Sequence, residues 1–109
     1  MAVTTDQAFT KMFSGTNYQI TGIYALAKTG AVAALTAGGI YTAAAKAGIA
    51  LVAAAQVWTS LTAAGKLQTV TLGAPIASDV QTATPILSLT TASGTAATAD
   101  IFITGVVLD

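Results

Sequence analysis

The stretch Ala99-Asp-Ile-Phe-Ile-Thr-Gly-Val-Val-Leu108 decides the fold class of this chain. With the period of two of an extended strand, its apolar side chains fall on both faces: Ile101, Ile103 and Val107 on one, Phe102, Val106 and Leu108 on the other. Apolar residues on both faces are typical of a strand that is covered on both sides. The stretch therefore predicts a central strand between two layers.

Two more strands precede this stretch. Pro85 leads into Ile86-Leu-Ser-Leu-Thr-Thr91, which is rich in β-forming residues. Before it, Leu67-Gln-Thr-Val-Thr-Leu72 reads as a strand, and residues 76–84 as a loop. Several short strands separated by Gly, Pro and Thr turns predict a mainly β protein, a β-sandwich or barrel-like small domain.

The first strand is predicted at residues 17–27, NYQITGIYALA. Strict alternation would place Tyr18, Ile20, Gly22, Tyr24 and Leu26 on one face. The glycine in its middle indicates a bulge or a close packing contact.

A weak internal repeat follows. Residues 22–30, GIYALAKTG, resemble residues 39–48, GIYTAAAKAG, and each copy is followed by an apolar run. The glycine two residues after each lysine can take the positive φ of a tight turn. The two copies therefore predict successive hairpins in one sheet.

Residues 42–56, TAAAKAGIALVAAAQ, carry a conflict between propensity and pattern. The alanines favour a helix, whereas Gly48 costs a helix about 1 kcal/mol relative to alanine. The β-branched Thr42, Ile49 and Val52 also disfavour one. We expect short strands here, with a helix at 43–56 as the alternative.

Residues 1–16 are predicted to form an extended N-terminal arm before a single β-rich domain at 17–109. The arm holds Phe9, Met12 and Phe13 among polar residues and ends in the turn signal Ser14-Gly15-Thr16. These three apolar side chains are the candidate partner contacts. They either pack on their own domain or dock on a neighbouring subunit.

The inventory of charged groups argues against an enzyme. The chain has four Lys and four Asp, and no Arg, Glu, His or Cys. Most of the groups that move protons, hold metals or grip phosphates are therefore missing, and no cofactor is expected. Because there is no basic excess, the electrostatic signature of nucleic-acid binding is missing too.

The same inventory indicates a subunit that associates with others. Charged residues make up 7% of the chain, far below the roughly 25–35% of a usual soluble surface. The net charge is zero, so little repulsion keeps copies apart. We expect a homo-oligomer, a dimer or a trimer.

Residues 47–65 form an uncharged run about as long as a membrane span. Many of them are Ala, and Gln56, Thr59, Ser60 and Thr62 are polar, which argues against insertion. A small helical membrane protein, holin-like or pilin-like and built on residues 29–65, is the alternative from another class.

Three candidate sites rest on residue type alone. Ser60 with Lys66, or Ser14 with Lys11, would be a nucleophile pair, but neither has an S-x-x-K spacing. Three carboxylates without calcium-loop spacing would bind a cation: Asp79, Asp100 and Asp109. Aromatic residues would stack on a sugar, although a lone Trp is more often core or interface: Trp58, Tyr18, Tyr24 and Tyr41. We expect no metal and no catalytic site.

Residues 39–73, GIYTAAAKAGIALVAAAQVWTSLTAAGKLQTVTLG, and 84–109, TPILSLTTASGTAATADIFITGVVLD, resemble small virion proteins of tailed bacteriophages. These are Thr/Ala/Gly-rich β-proteins that decorate or cement the capsid. The resemblance is one of general sequence character over residues 20–109. It involves no diagnostic motif, so it assigns no site residues. It implies a decoration protein on the capsid surface of the virion, bound to the major capsid protein. A tail or receptor-binding virion component is the nearest variant.

Overall fold

The computed structural model describes residues 3–9, 17–32, 36–73, 80–93 and 97–108. Their regular structure consists of strands, and no helix occurs among them, so the predicted mainly β class is confirmed. The strands are β1 (Gln7–Ala8), β2 (Tyr18–Thr29), β3 (Ala37–Ala43), β4 (Ala47–Val52), β5 (Leu67–Val70), β6 (Val80–Gln81), β7 (Ile86–Thr91) and β8 (Thr98–Val107).

The strands form two antiparallel sheets in a sandwich-like arrangement. Sheet I has the order β1-β7-β3-β4. Sheet II is built around β2, which pairs with β5 and β6 along one edge and with β8 along the other. Because β2 and β3 lie in different sheets, the prediction that both repeat copies belong to one sheet is wrong. The chain leaves β2 at Gly30, whose φ is +67°, and crosses to the other layer instead of turning back.

The core lies between the sheets and takes apolar side chains from both. Sheet II contributes Tyr18, Ile20, Ile23, Ala25, Ala27 and Val70, and sheet I contributes Ile40, Leu51, Val52, Leu87 and Leu89. The connections add Val32, Trp58, Leu61 and Ala97. Trp58 is fully buried, and its indole N–H donates to the carbonyl oxygen of Gly38 at 3.2 Å.

A bulge in β2 decides which of its residues face this core. The register of β2 against β8 shifts between Ile20 and Gly22, which leaves Thr21 as the extra residue. A bulge beside the central glycine was predicted and is confirmed. The predicted face is correct only up to Ile20, because the extra residue turns Ile23 and Ala25 inward and Tyr24 outward.

Residues 43–56 are not helical, so the helix alternative is wrong. They contain the end of β3, a turn and β4, with the N–H of Ala47 donating to the oxygen of Ala44 at 3.2 Å. Ala45 and Lys46 both have positive φ, near 60°, as a two-residue hairpin turn requires. Pairing of β4 with β3 therefore overrides the helix preference of the alanines.

The strand predicted at residues 99–108, which is β8, does not lie at the centre of its sheet. β8 pairs with β2 along its whole length, and no other strand of the described residues pairs with it. None of its residues is fully buried. The prediction of a central strand between two layers is wrong, because the second apolar face of β8 points away from the core rather than into a second layer.

Candidate interaction surface

The outer face of sheet II is the surface that distinguishes this molecule. Its rows follow the pairing of β2 with its neighbours. One row holds Val80, Gln19 and Val106. Beyond the small, polar row of Gly22 and Thr104, a second row holds Thr69, Tyr24 and Phe102, and the third, next to it, holds Leu67, Leu26 and Asp100. Six of the nine side chains in these three rows are aliphatic or aromatic: Leu26, Tyr24, Leu67, Val80, Phe102 and Val106. We call these six residues the apolar face.

The apolar face is open. Leu67 is 60% exposed, Val80 58%, Val106 51% and Phe102 47%. An antiparallel sheet that covers a core usually presents polar side chains on its other side. Contiguous exposed apolar patches on a small protein mark interaction sites. The apolar face therefore has the composition of a binding surface.

One ion pair lies at a corner of this face. The ammonium group of Lys28 is 3.5 Å from the carboxylate of Asp100, and both side chains are about half exposed. A pair this exposed contributes little to stability. The remaining members of the three rows are uncharged, and a partner surface that covers them would have to desolvate few charges.

The outer side of sheet I has a different chemistry. Ser88, fully buried, donates its hydroxyl to the Asp6 carboxylate at 2.7 Å and accepts from the Lys46 ammonium group at 3.0 Å. The other carboxylate oxygen of Asp6 accepts from the N–H of Ala45 at 2.7 Å. We call these four residues the polar clasp. It ties the N-terminal segment to the β3–β4 turn and to β7.

The polar clasp lowers the pKa of Asp6. The hydrogen bond from the Ala45 N–H is the largest cause, followed by the one from Ser88 and the nearby charge of Lys46. Each of these favours the carboxylate over the neutral acid. Asp6 therefore stays ionised in the clasp at neutral pH.

The predicted partner contacts lie partly within the described residues. Phe9 is half-buried and packs against the protein's own core, and its N–H donates to the oxygen of Pro85 at 3.1 Å. Residues 7–8 form β1, which pairs with β7. Met12 and Phe13 lie outside the described residues, so their contact with a neighbouring subunit stays a prediction.

The aromatic candidates do not form a common surface. Trp58, Tyr18 and Tyr41 are buried, and only Tyr24 reaches the outside, where it pairs across strands with Phe102. For Trp58 the expectation of a core position is confirmed. A sugar-stacking surface made of these four residues is therefore not formed.

The polar candidates are also dispersed. Ser60 and Lys66 are both exposed, and the N–H of Ser60 donates to the side-chain oxygen of Gln68 at 3.2 Å. Asp100 pairs with Lys28, whereas Asp79, Asp109, Ser14 and Lys11 lie outside the described residues. Among residues whose positions are described, no group of acidic side chains is arranged to hold a metal ion.

Sequence reasoning missed the apolar face although its signal was present. Phe102 and Val106 were assigned to a face of their strand separate from Ile101 and Ile103, which the pairing of β8 confirms. That second face was interpreted as buried. An apolar strand face looks the same in a sequence whether its cover is another layer of the same chain or another molecule.

In comparisons with known proteins, no family model, no curated protein and no solved structure matches the chain. In the parts of the chain that the structure describes, no helix is both long enough and apolar enough to span a bilayer.

Proposed function

We propose that this protein is a structural virion protein, which decorates or cements the capsid of a tailed bacteriophage by binding its major capsid protein. The observation that carries the proposal is the apolar face, whose exposed side chains lie on the side of sheet II opposite the core. The resemblance of residues 20–109 to small phage decoration proteins supports the choice of partner. No catalytic chemistry is required of such a subunit.

The physical requirements of a cement protein agree with these features. A standard interface buries about 800 Å² on each partner, and the apolar face offers exposed side chains on three rows of one hydrogen-bonded sheet. A rigid, preformed surface loses little conformational entropy on binding. Because the face carries one ion pair at its corner, binding should depend weakly on salt.

The test is co-sedimentation of the purified chain with phage heads assembled from the capsid protein of the same genome. We expect the wild-type chain to sediment with the heads. Leu67→Lys places a charge in the third row of the proposed contact, and burying an unpaired charge costs several kcal/mol. We therefore expect at least a tenfold loss of affinity, about 1.4 kcal/mol or more.

Ile49→Lys is the matched control. Ile49 is an aliphatic residue of similar exposure, 50%, on β4 of sheet I, so its replacement should leave binding unchanged. Equal loss of binding in both variants would remove the apolar face from the proposal. Binding of the wild-type chain to purified tails and not to heads would contradict capsid decoration and favour a tail component.

A further inference from the structure

Besides the apolar face, sheet II has a strand edge that no described strand pairs with, the outer edge of β8. We call it the free edge of β8. The strand is ten residues long and pairs with β2 along one edge. In an antiparallel strand alternate residues direct their N–H and C=O groups to opposite edges. Among the described residues, no strand pairs with the second edge, and its row of backbone donors and acceptors has no backbone partner there.

The edge lacks the features that normally protect an open strand. Proteins block such edges with Pro, Lys, bulges or very short strands. β8 has no Pro or Lys. Both irregularities in its pairing with β2 insert the extra residue in β2, at Thr21 and Lys28, so β8 itself runs without a bulge. Its one charge, Asp100, is paired with Lys28.

We propose that β8 pairs antiparallel with β8 of a second copy of this chain, about a two-fold axis at Phe102. A two-fold axis perpendicular to an antiparallel sheet sets one residue against its own copy, which makes the contact self-complementary. With Phe102 on the axis, residues 98–106 of the two strands pair. The two Phe102 rings meet on the outer face, and each Ile101 meets the partner's Ile103 on the inner face.

This register suits the side chains of β8. Aromatic pairs across strands are favourable, and Ile101 and Ile103 lie half-exposed in the single chain. Asp100 lies opposite Thr104 of the second copy. The two Asp100 carboxylates are then four residues apart along the strands, roughly 14 Å, which exceeds the screening length of about 8 Å at physiological salt.

The backbone supplies the main attraction. Antiparallel pairing of this segment adds about eight to ten hydrogen bonds, close to the roughly ten of a whole standard interface. The strand is roughly 30 Å long and one sheet is about 10 Å thick, so the contact covers only about 300 Å² of each copy, less than half of the about 800 Å² of a standard interface. We therefore expect a dimer that dissociates on dilution.

The same geometry favours a second copy over another occupant. The strand is as complementary to itself as to any other strand, and copies with zero net charge do not repel each other. Pairing would also join two apolar faces into one continuous surface, with the two Phe102 side chains at its centre. This inference does not depend on the capsid role.

Sedimentation velocity of the full chain over a wide range of concentration tests the proposal. We expect the mass to rise from 10.7 kDa to twice that value. Phe102→Lys and Phe102→Asp each place like charges opposite each other on the axis and should raise the dissociation constant at least about tenfold. An equimolar mixture of the two variants should recover the dimer, because opposite charges then face each other.

Leu67→Lys is the control, since Leu67 lies on the same outer face but on β5, away from the free edge. It should keep the dimer even where capsid binding is lost. Circular dichroism checks that each variant keeps its β structure. A wild-type chain that stays monomeric at all concentrations would overturn the proposal. So would loss of the dimer in Leu67→Lys, which would indicate face-to-face association, or failure of the mixture to recover it.

Discussion

At the scale of single residues, Gly38 shows how closely the strands of sheet I approach each other. A Cβ atom built on Gly38 would lie 2.3 Å from the Cα of Leu89 and 2.7 Å from the oxygen of Ser88. Both atoms belong to the neighbouring β7, which cannot move without loss of its own pairing. The carbonyl of the same glycine accepts from the buried indole of Trp58. A side chain at this position would disturb the sheet and the core together.

We predict that Gly38→Ala lowers the free energy of unfolding by at least about 3 kcal/mol, the upper range for overpacking. Gly65→Ala is the control. Gly65 also has positive φ, +86°, but nothing lies within 4 Å of its added Cβ, so only the conformational cost of about 1–2 kcal/mol remains. Urea unfolding of the two variants measures the difference. Equal losses would contradict the close contact between β3 and β7.

Asp6 is the residue whose charge affects stability in a pH-dependent way. Its pKa in the folded protein lies below its ordinary value of 3.8 because Ala45, Ser88 and Lys46 stabilise the carboxylate. Its contribution is therefore present above the unfolded pKa and lost as the pH falls through the lower folded pKa. The polar clasp should weaken in acid.

We predict that Asp6→Asn unfolds at a lower temperature than wild type at pH 7, and that the two melting temperatures converge as the pH falls below about 4. Asn keeps one acceptor oxygen for the Ala45 N–H but places an NH2 group where the other carboxylate oxygen accepts from Ser88, so the comparison tests the charge together with that hydrogen bond. Thermal unfolding across the pH range measures it. A difference that stays constant down to the lowest pH would contradict an ionised Asp6 in the clasp.

At the scale of elements, the sequence predicts the strands well where turn residues frame them. β7 begins and ends at the residues expected from Pro85 and the run Ile86–Thr91. β2 extends two residues beyond its predicted end, because Lys28 and Thr29 continue along β8 through a second irregularity. A run of strand-forming residues between turn residues can be recognised from neighbouring positions alone, so it predicts a strand correctly without knowledge of its partner.

What the sequence does not predict depends on long-range pairing. Short strands were expected in the alanine-rich segment and are confirmed, but only the pairing with β3 fixes where β4 begins and ends. The extra residue Thr21 reverses the faces of β2 relative to strict alternation, and a bulge exists only relative to a partner strand. The edge position of β8 is likewise a property of the sheet and not of the strand.

At the scale of the whole molecule, the two outer surfaces of the sandwich have opposite characters. The outer side of sheet I carries the polar clasp, whereas sheet II presents the apolar face and the free edge of β8. The low charge of the composition predicts association with other subunits, but composition does not say which surface would take part. The location follows from which strands share a sheet, and residues far apart in sequence form each row.

The two proposed contacts would give one sheet two separate tasks: the apolar face would bind the capsid protein and the β8 edge would join two copies. A dimer would then present two faces side by side to a lattice of repeated capsid subunits. Two weak contacts made at once give a much higher effective affinity than either gives alone.

Quantitative mass spectrometry of purified virions tests the proposed capsid role most directly, with any tailed phage whose genome carries this sequence as the sample. We predict that the protein is present in a fixed, small-integer ratio to the major capsid protein and stays with the head when tails are removed. Absence from the virion, or a copy number that follows the tail proteins, would contradict the assignment as a capsid decoration protein.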